Sequence, residues 1–199
     1  MGDTKERILW TALELFAENG YEAVSVSDIA GALGITKGAL YRHYRNKRDI
    51  FDSIVARMER RDAAQADAGG MPAGALVDMP EAYRAATVDR MVDFAKAMFR
   101  YWTEDPFASA FRRMLTLEQY RSPEMAALYQ QYLAAGPVGY MADLFKSLGL
   151  PRARARAVAF YAPMFLLYSV HDGAADGSAV LSTLDALLED ARNQLKDMR

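Results

Sequence analysis

The sequence predicts an all-α protein, with a small N-terminal three-helix unit ahead of a longer helical domain. Three observations carry this. Apolar residues recur three and four apart through most of the chain, no segment shows a period-two pattern of comparable strength, and Gly and Pro cluster between the periodic stretches. With 199 residues, 52% of them hydrophobic and 25% charged, the chain has enough apolar surface for a sizeable core.

Ile8, Leu9, Ala12, Leu13 and Phe16 mark a first helix over residues 4 to 18, closed by Asn19-Gly20. In Ser25-Val26-Ser27-Asp28 a hydroxyl stands three residues ahead of an acid, the reciprocal cap of a second helix over about Val26 to Leu33. Gly34 breaks that helix, Ile35 supplies an apolar plug, and Thr36 caps a short third helix through Tyr44. Asn46 precedes a fourth, with Ile50, Phe51, Ile54, Val55 and Met58 on one side, ending among Glu59, Arg60, Arg61 and Asp62.

From Ala63 to Pro80 the period dissolves while Gly69, Gly70, Pro72, Gly74 and Pro80 accumulate. Beyond it Val88, Met91, Val92, Ala95, Met98, Phe99 and Trp102 form a wide helical stripe, and Pro106 starts a helix with Phe107, Phe111, Met114 and Leu115. Helices over 123–135 and 137–148 follow, the second ended by Gly149 and Pro151. The next is apolar over most of its circumference, and the last carries the seam Leu181, Leu184, Leu188, Ala191, Leu195 and Met198. The expected organisation is a helix-turn-helix domain at 1–48, a connecting helix at 49–62, a loop or linker at 63–80, and a second domain at 81–199.

Composition excludes several function classes. The absence of cysteine removes disulfide scaffolds, thiolate zinc sites and iron–sulfur clusters, and the only histidines, His43 and His171, argue against zinc catalysis. There is no phosphate loop, dinucleotide-binding turn or nucleophile elbow, so no enzyme activity, cofactor or metal is expected. The N-terminus has no signal-peptide core, and the longest apolar run, near Phe160 to Tyr168, is far shorter than a membrane span, so a cytoplasmic location is expected.

Two short helices joined through Gly34 and Ile35, braced by a preceding amphipathic helix, describe a helix-turn-helix. Between Thr36 and Arg48 the charged side chains are Lys37, Arg42, Arg45, Lys47 and Arg48, joined by His43 and with no acid among them, although the whole chain carries a net charge of −2. Such a local excess of cations is a phosphate footprint. The stretch ILWTALELFAENGYEAVSVSDIAGALGITKGALYRHYRNKRDIF resembles the TetR family of bacterial transcriptional repressors over about the first quarter of the chain. The resemblance implies an all-α homodimer with an N-terminal DNA-binding domain and a variable C-terminal domain that binds a small inducer and dimerises.

Carried onto matching positions, the resemblance implies that Thr36, Lys37 and Arg42 approach base edges while Gly38 and Ala39 let the helix come close. Tyr41, His43 and Lys47 would hold phosphates, as would Ser25 and Ser27 at the start of the second helix. His43 is equally read as a packing residue. The double-stranded DNA operator would be pseudo-palindromic, and the homodimer would form through helices near 152–170 and 178–198. Core aromatics and methionines are candidates to line a cavity for a small hydrophobic ligand: Met98, Trp102, Phe111, Met114, Tyr132, Tyr161, Met164, Phe165 and Tyr168. A constitutive DNA-binding dimer without an inducer, or a helical-bundle enzyme, are the competing readings.

Overall fold

The structure, a computed structural model, describes residues 4–198. Among them are eleven α-helices and no strand: α1 (Thr4–Asn19), α2 (Val26–Ala32), α3 (Lys37–Tyr41), α4 (Lys47–Ala68), α5 (Pro80–Ala85), α6 (Val88–Glu104), α7 (Pro106–Glu118), α8 (Pro123–Leu133), α9 (Ala135–Ser147), α10 (Ala153–Gly173) and α11 (Ser178–Asp197). They divide into two compact units. The first comprises the residues up to Arg61 with Pro106–Tyr129, the second Asp62–Asp105 with the residues from Gln130 onward.

In the first unit α1 buries Ile8, Leu9, Ala12, Leu13, Phe16 and Ala17, an arc wider than a three-helix domain alone can cover. Helix α7 covers the remainder, presenting Phe107, Phe111, Met114 and Leu115. Trp10 meets Phe107 edge to face at 5.3 Å, and Phe16, Tyr21 and Phe51 form a chain of rings 5.1 and 4.9 Å apart. Burial of each such side chain contributes about 1.5–3 kcal/mol. Arg57 of α4 closes the edge, pairing with Glu6 while its guanidinium lies over the Phe107 ring.

Most helix bounds lie within about two residues of expectation, and those of α4 and α3 differ more. Helix α4 continues through Ala68, six residues beyond the end its apolar stripe suggests, because Ala63, Ala64, Ala66 and Ala68 favour helix and Ala66 extends the buried side of Ile54 and Met58. Helix α3 stops at Tyr41 rather than Tyr44. There Asn46 Oδ1 accepts from the Asp49 amide and Asp49 Oδ2 accepts from the Arg45 amide, so the cap of α4 claims the intervening backbone.

In the second unit α6 supplies Met91, Val92, Ala95, Phe99 and Trp102 to a core shared with α10 and α11, and α10 also packs along α9. Phe99 stacks on Tyr168 at 4.9 Å, and the Tyr161 hydroxyl donates to the Leu133 carbonyl at 2.9 Å. The α11 seam is used within the subunit: Leu184, Leu188 and Leu195 are buried, and flanking ion pairs join Lys96 to Glu189, Arg100 to Asp185, and Arg192 to Asp89 and Asp93. That seam therefore is not the surplus apolar surface the spacing suggested. The surplus lies on α10, where Val158 is 50%, Phe165 44%, Leu166 64% and Val170 47% exposed, beside Leu187 of α11 at 41%.

Candidate nucleic-acid interface

Helices α2 and α3 are set by their caps. Ser25 Oγ accepts from the Asp28 amide, and the Asp28 carboxylate accepts from both the Ser25 amide (2.8 Å) and the Ser25 hydroxyl (2.7 Å). These bonds hold the Asp28 carboxyl below its usual range. The same bonds engage the Ser25 hydroxyl locally. Gly34 then takes φ +66°, a left-handed conformation suited to glycine, and the Ile35 amide donates back to the Ala30 carbonyl at 3.0 Å. Thr36 caps α3, its hydroxyl accepting from the Ala39 amide at 3.1 Å.

This turn fixes which face of α3 is buried. Leu40 is fully buried, while Thr36, Lys37, Gly38, Tyr41 and Arg42 are exposed and Ala39 and His43 are partly so. Lys37 and Arg42 form no ion pair among the described residues, so two cations stand on one uncovered surface with the Tyr41 ring, 50% exposed, between them in sequence. Tyr44, by contrast, is buried, its hydroxyl donating to the Lys5 carbonyl at 3.3 Å.

The rest of the basic run is occupied inside the unit. Arg45 pairs with Asp49 at 3.2 Å, and Arg48 with Asp52 at 2.6 Å and Glu124 at 2.7 Å. Lys47 donates to the Tyr21 carbonyl at 2.8 Å and lies 4.2 Å from the Tyr21 ring centre, which uses part of an ammonium with three donors. Ser27 is partly buried on α2. The uncovered charge is thus concentrated on α3.

The candidate ligand-lining residues belong to both units. Phe111 and Met114 belong to the core of the first unit against α1, whereas Trp102, Tyr132, Tyr161, Met164 and Tyr168 are buried in the second and Met98 is partly buried there. Phe165 points away from that core, 44% exposed. Hydrophobic periodicity registers burial but does not name the partner, so these side chains look alike in sequence. In sequence Asp62 reads as one of the charges ending the fourth helix. The signal was present: it continues the i+4 series Ile54, Met58, Asp62, Ala66, whose other members are buried.

Residues 8–54 match the family model of bacterial regulatory proteins, tetR family. The chain carries a TetR-family regulatory domain. Within curated proteins it is 42% identical over 52 residues to the HTH-type transcriptional regulator AcrR of Shigella flexneri, covering 26% of this chain and 24% of that one. The chain thus spans about a quarter of the length of such relatives. Beyond the TetR domain the likeness is in fold. A transcriptional regulator from Aquifex aeolicus VF5 superposes with TM-score 0.70 at 16% identity over 94% of this chain and 98% of that one. The fatty acid degradation regulator FadR from Bacillus halodurans gives 0.63 at 20% identity over 94% and 95%. Over 94% of its length the chain thus has the all-α fold of these regulators.

Proposed function

We propose that the protein is a ligand-responsive transcriptional repressor that binds a pseudo-palindromic operator as a homodimer and is released by a small hydrophobic molecule. The observation that carries this reading is the uncovered surface of α3, where Lys37, Gly38, Tyr41 and Arg42 are exposed on a helix whose other side is locked by Leu40. A recognition helix of this kind lays its outer face in the major groove, where Lys and Arg pair with guanine acceptors. Gly38 and Ala39 keep the helix surface low enough for close approach, and Thr36, Tyr41, His43, Lys47 and the Ser25–Ser27 segment supply backbone contacts.

The exposed α10 stripe supports a dimer. Val158, Phe165, Leu166 and Val170 are joined on that side by the small exposed residues Ala155, Ala159 and Ala162, which let a second copy's helix come close. Helices α10 and α11 of two chains would form a four-helix interface burying upward of ~1,000 Å². Release by ligand requires differential affinity for two conformations, with a coupling of about 1–3 kcal/mol. Helix α4 is the lever, since its residues run from the first unit into the second across Arg61 and Asp62. A repressor of this kind acts on the chromosome and so works in the cytoplasm, with no cofactor beyond its effector.

The test is titration of a selected operator with and without hydrophobic ligands. Release by at least one ligand is expected. Operator affinity unmoved by every ligand that binds the protein would replace this reading with a constitutive DNA-binding dimer.

A further inference from the structure

Inside the second unit lies a polar pair that no protein group satisfies. Asp62 Oδ1 on α4 and Tyr140 Oη on α9 are both shut off from solvent, and neither has a hydrogen-bond partner. Burial raises the Tyr140 phenol, with smaller contributions from Tyr83 and from the Asp62 charge. Aromatic rings flank Tyr140, which meets Tyr83 of α5 at 6.0 Å and Phe94 of α6 at 6.4 Å. Phe94 in turn lies against the end of α4, where a Cβ on Gly69 would fall 2.6 Å from its ring. The Tyr83 hydroxyl is already committed, donating to the Gly74 carbonyl at 3.0 Å. Asp62 forms no ion pair among the described residues, and burial pushes its carboxyl up to about 6.

Buried polar groups in folded proteins nearly always have partners, and a buried carboxylate without one is costly. Two such orphans, one of them on a ring flanked by Tyr83 and Phe94, therefore call for a partner from outside the chain. A neutral hydrocarbon would seal both oxygens from water and satisfy neither, and an anion would be repelled by Asp62. A primary or secondary ammonium supplies N–H donors to both oxygens, gives the carboxylate its counter-charge, and is attracted to ring faces.

We propose that Asp62 and Tyr140 are the polar anchor of the effector site, and that the effector is a hydrophobic amine bound as its ammonium, with its apolar body among Tyr83, Phe94 and Tyr140. The proposal rests on the ligand-responsive reading and gives its effector a chemical class.

Calorimetric titration of the full chain with 2-phenylethylammonium and 2-(1-naphthyl)ethylammonium, each against the alcohol of the same skeleton, tests it. In the unmodified protein each ammonium is expected to bind about 10-fold or more tightly than its alcohol. Asp62→Asn should reduce that preference to within about 3-fold, and Tyr140→Phe should weaken the ammonium severalfold while leaving the alcohol unchanged. Because Asp62→Asn removes a buried charge, it should melt no lower than the parent, so lost binding is not lost folding. Failure of both ammonium ions to bind, equal affinity for the alcohols, or a preference that survives Asp62→Asn would overturn the proposal and leave the pair to ordered water. Operator titration separates the two readings. Release by a neutral hydrophobe with no effect of the amines retains the responsive repressor and discards the amine, whereas Asp62-dependent amine binding that leaves operator affinity unchanged retains the site and discards the response.

Discussion

At the scale of single residues, Lys37 and Arg42 differ from Arg45 and Arg48 by forming no ion pair among the described residues. Replacing either with Ala is expected to cost about 1–3 kcal/mol of operator binding and to relax preference at particular base pairs. A specificity profile measured over single-base operator variants checks this, and an unchanged profile for both variants would remove them from base reading. The sequence displayed all these cations equally. It could not show that Glu124 neutralises Arg48, because Glu124 lies 76 residues away from Arg48 in the chain, whereas Asp49 and Asp52 stand four residues beyond Arg45 and Arg48. Asp62 supplies a second residue-scale prediction. Its folded pKa of about 6 lies above the ordinary carboxylate value, so the folded state takes up a proton more readily than the unfolded chain and loses stability as pH rises from about 4 to about 6. Asp62→Asn should therefore raise the unfolding free energy by about 1–2 kcal/mol above pH 6 and lose that advantage near pH 4. Denaturant titrations at pH 4 and pH 7.5 measure it, and a variant less stable at the higher pH would show that the charge is compensated.

At the scale of elements, the turns were legible and the packing partners were not. The Ser25–Asp28 box, the Gly34 break and the Thr36 cap follow from short-range hydrogen-bonding chemistry, which depends only on neighbours in the chain. That α7 would pack on α1 depends on matching two apolar faces about 100 residues apart, information that periodicity lacks. Gly20 shows the consequence. It ends α1 at φ +85°, and a Cβ there would fall 2.5 Å from the buried Glu118 carboxylate of α7. Gly20→Ala is expected to destabilise the fold by about 2–3 kcal/mol, adding a clash to left-handed strain. Gly34→Ala, at φ +66° with open space around it, should cost only about 1 kcal/mol. Thermal unfolding of the two variants ranks them, and equal losses would mean that the α1–α7 contact yields at no cost.

For the whole molecule, the apolar stripe of α10 and the exposed face of α3 serve one purpose if two chains present two reading helices to one duplex. Three residues of the α11 seam, Leu184, Leu188 and Leu195, face their own subunit, which leaves the exposed apolar side chains mainly on α10. A charge on the stripe separates association from folding: Leu166→Glu, at a position 64% exposed, should leave the helical fold intact and yield monomers in sedimentation. A variant that remains dimeric would move the interface elsewhere. The central claim, a symmetric reader of duplex DNA, is tested most directly by selecting bound sequences from a random duplex pool with the intact protein and measuring the stoichiometry on the enriched site. The account expects an inverted repeat whose half-sites are spaced by about one helical turn or a multiple of it, occupied by an even number of protomers. Enrichment of no sequence, or of a single unrepeated half-site held by one protomer, would contradict it.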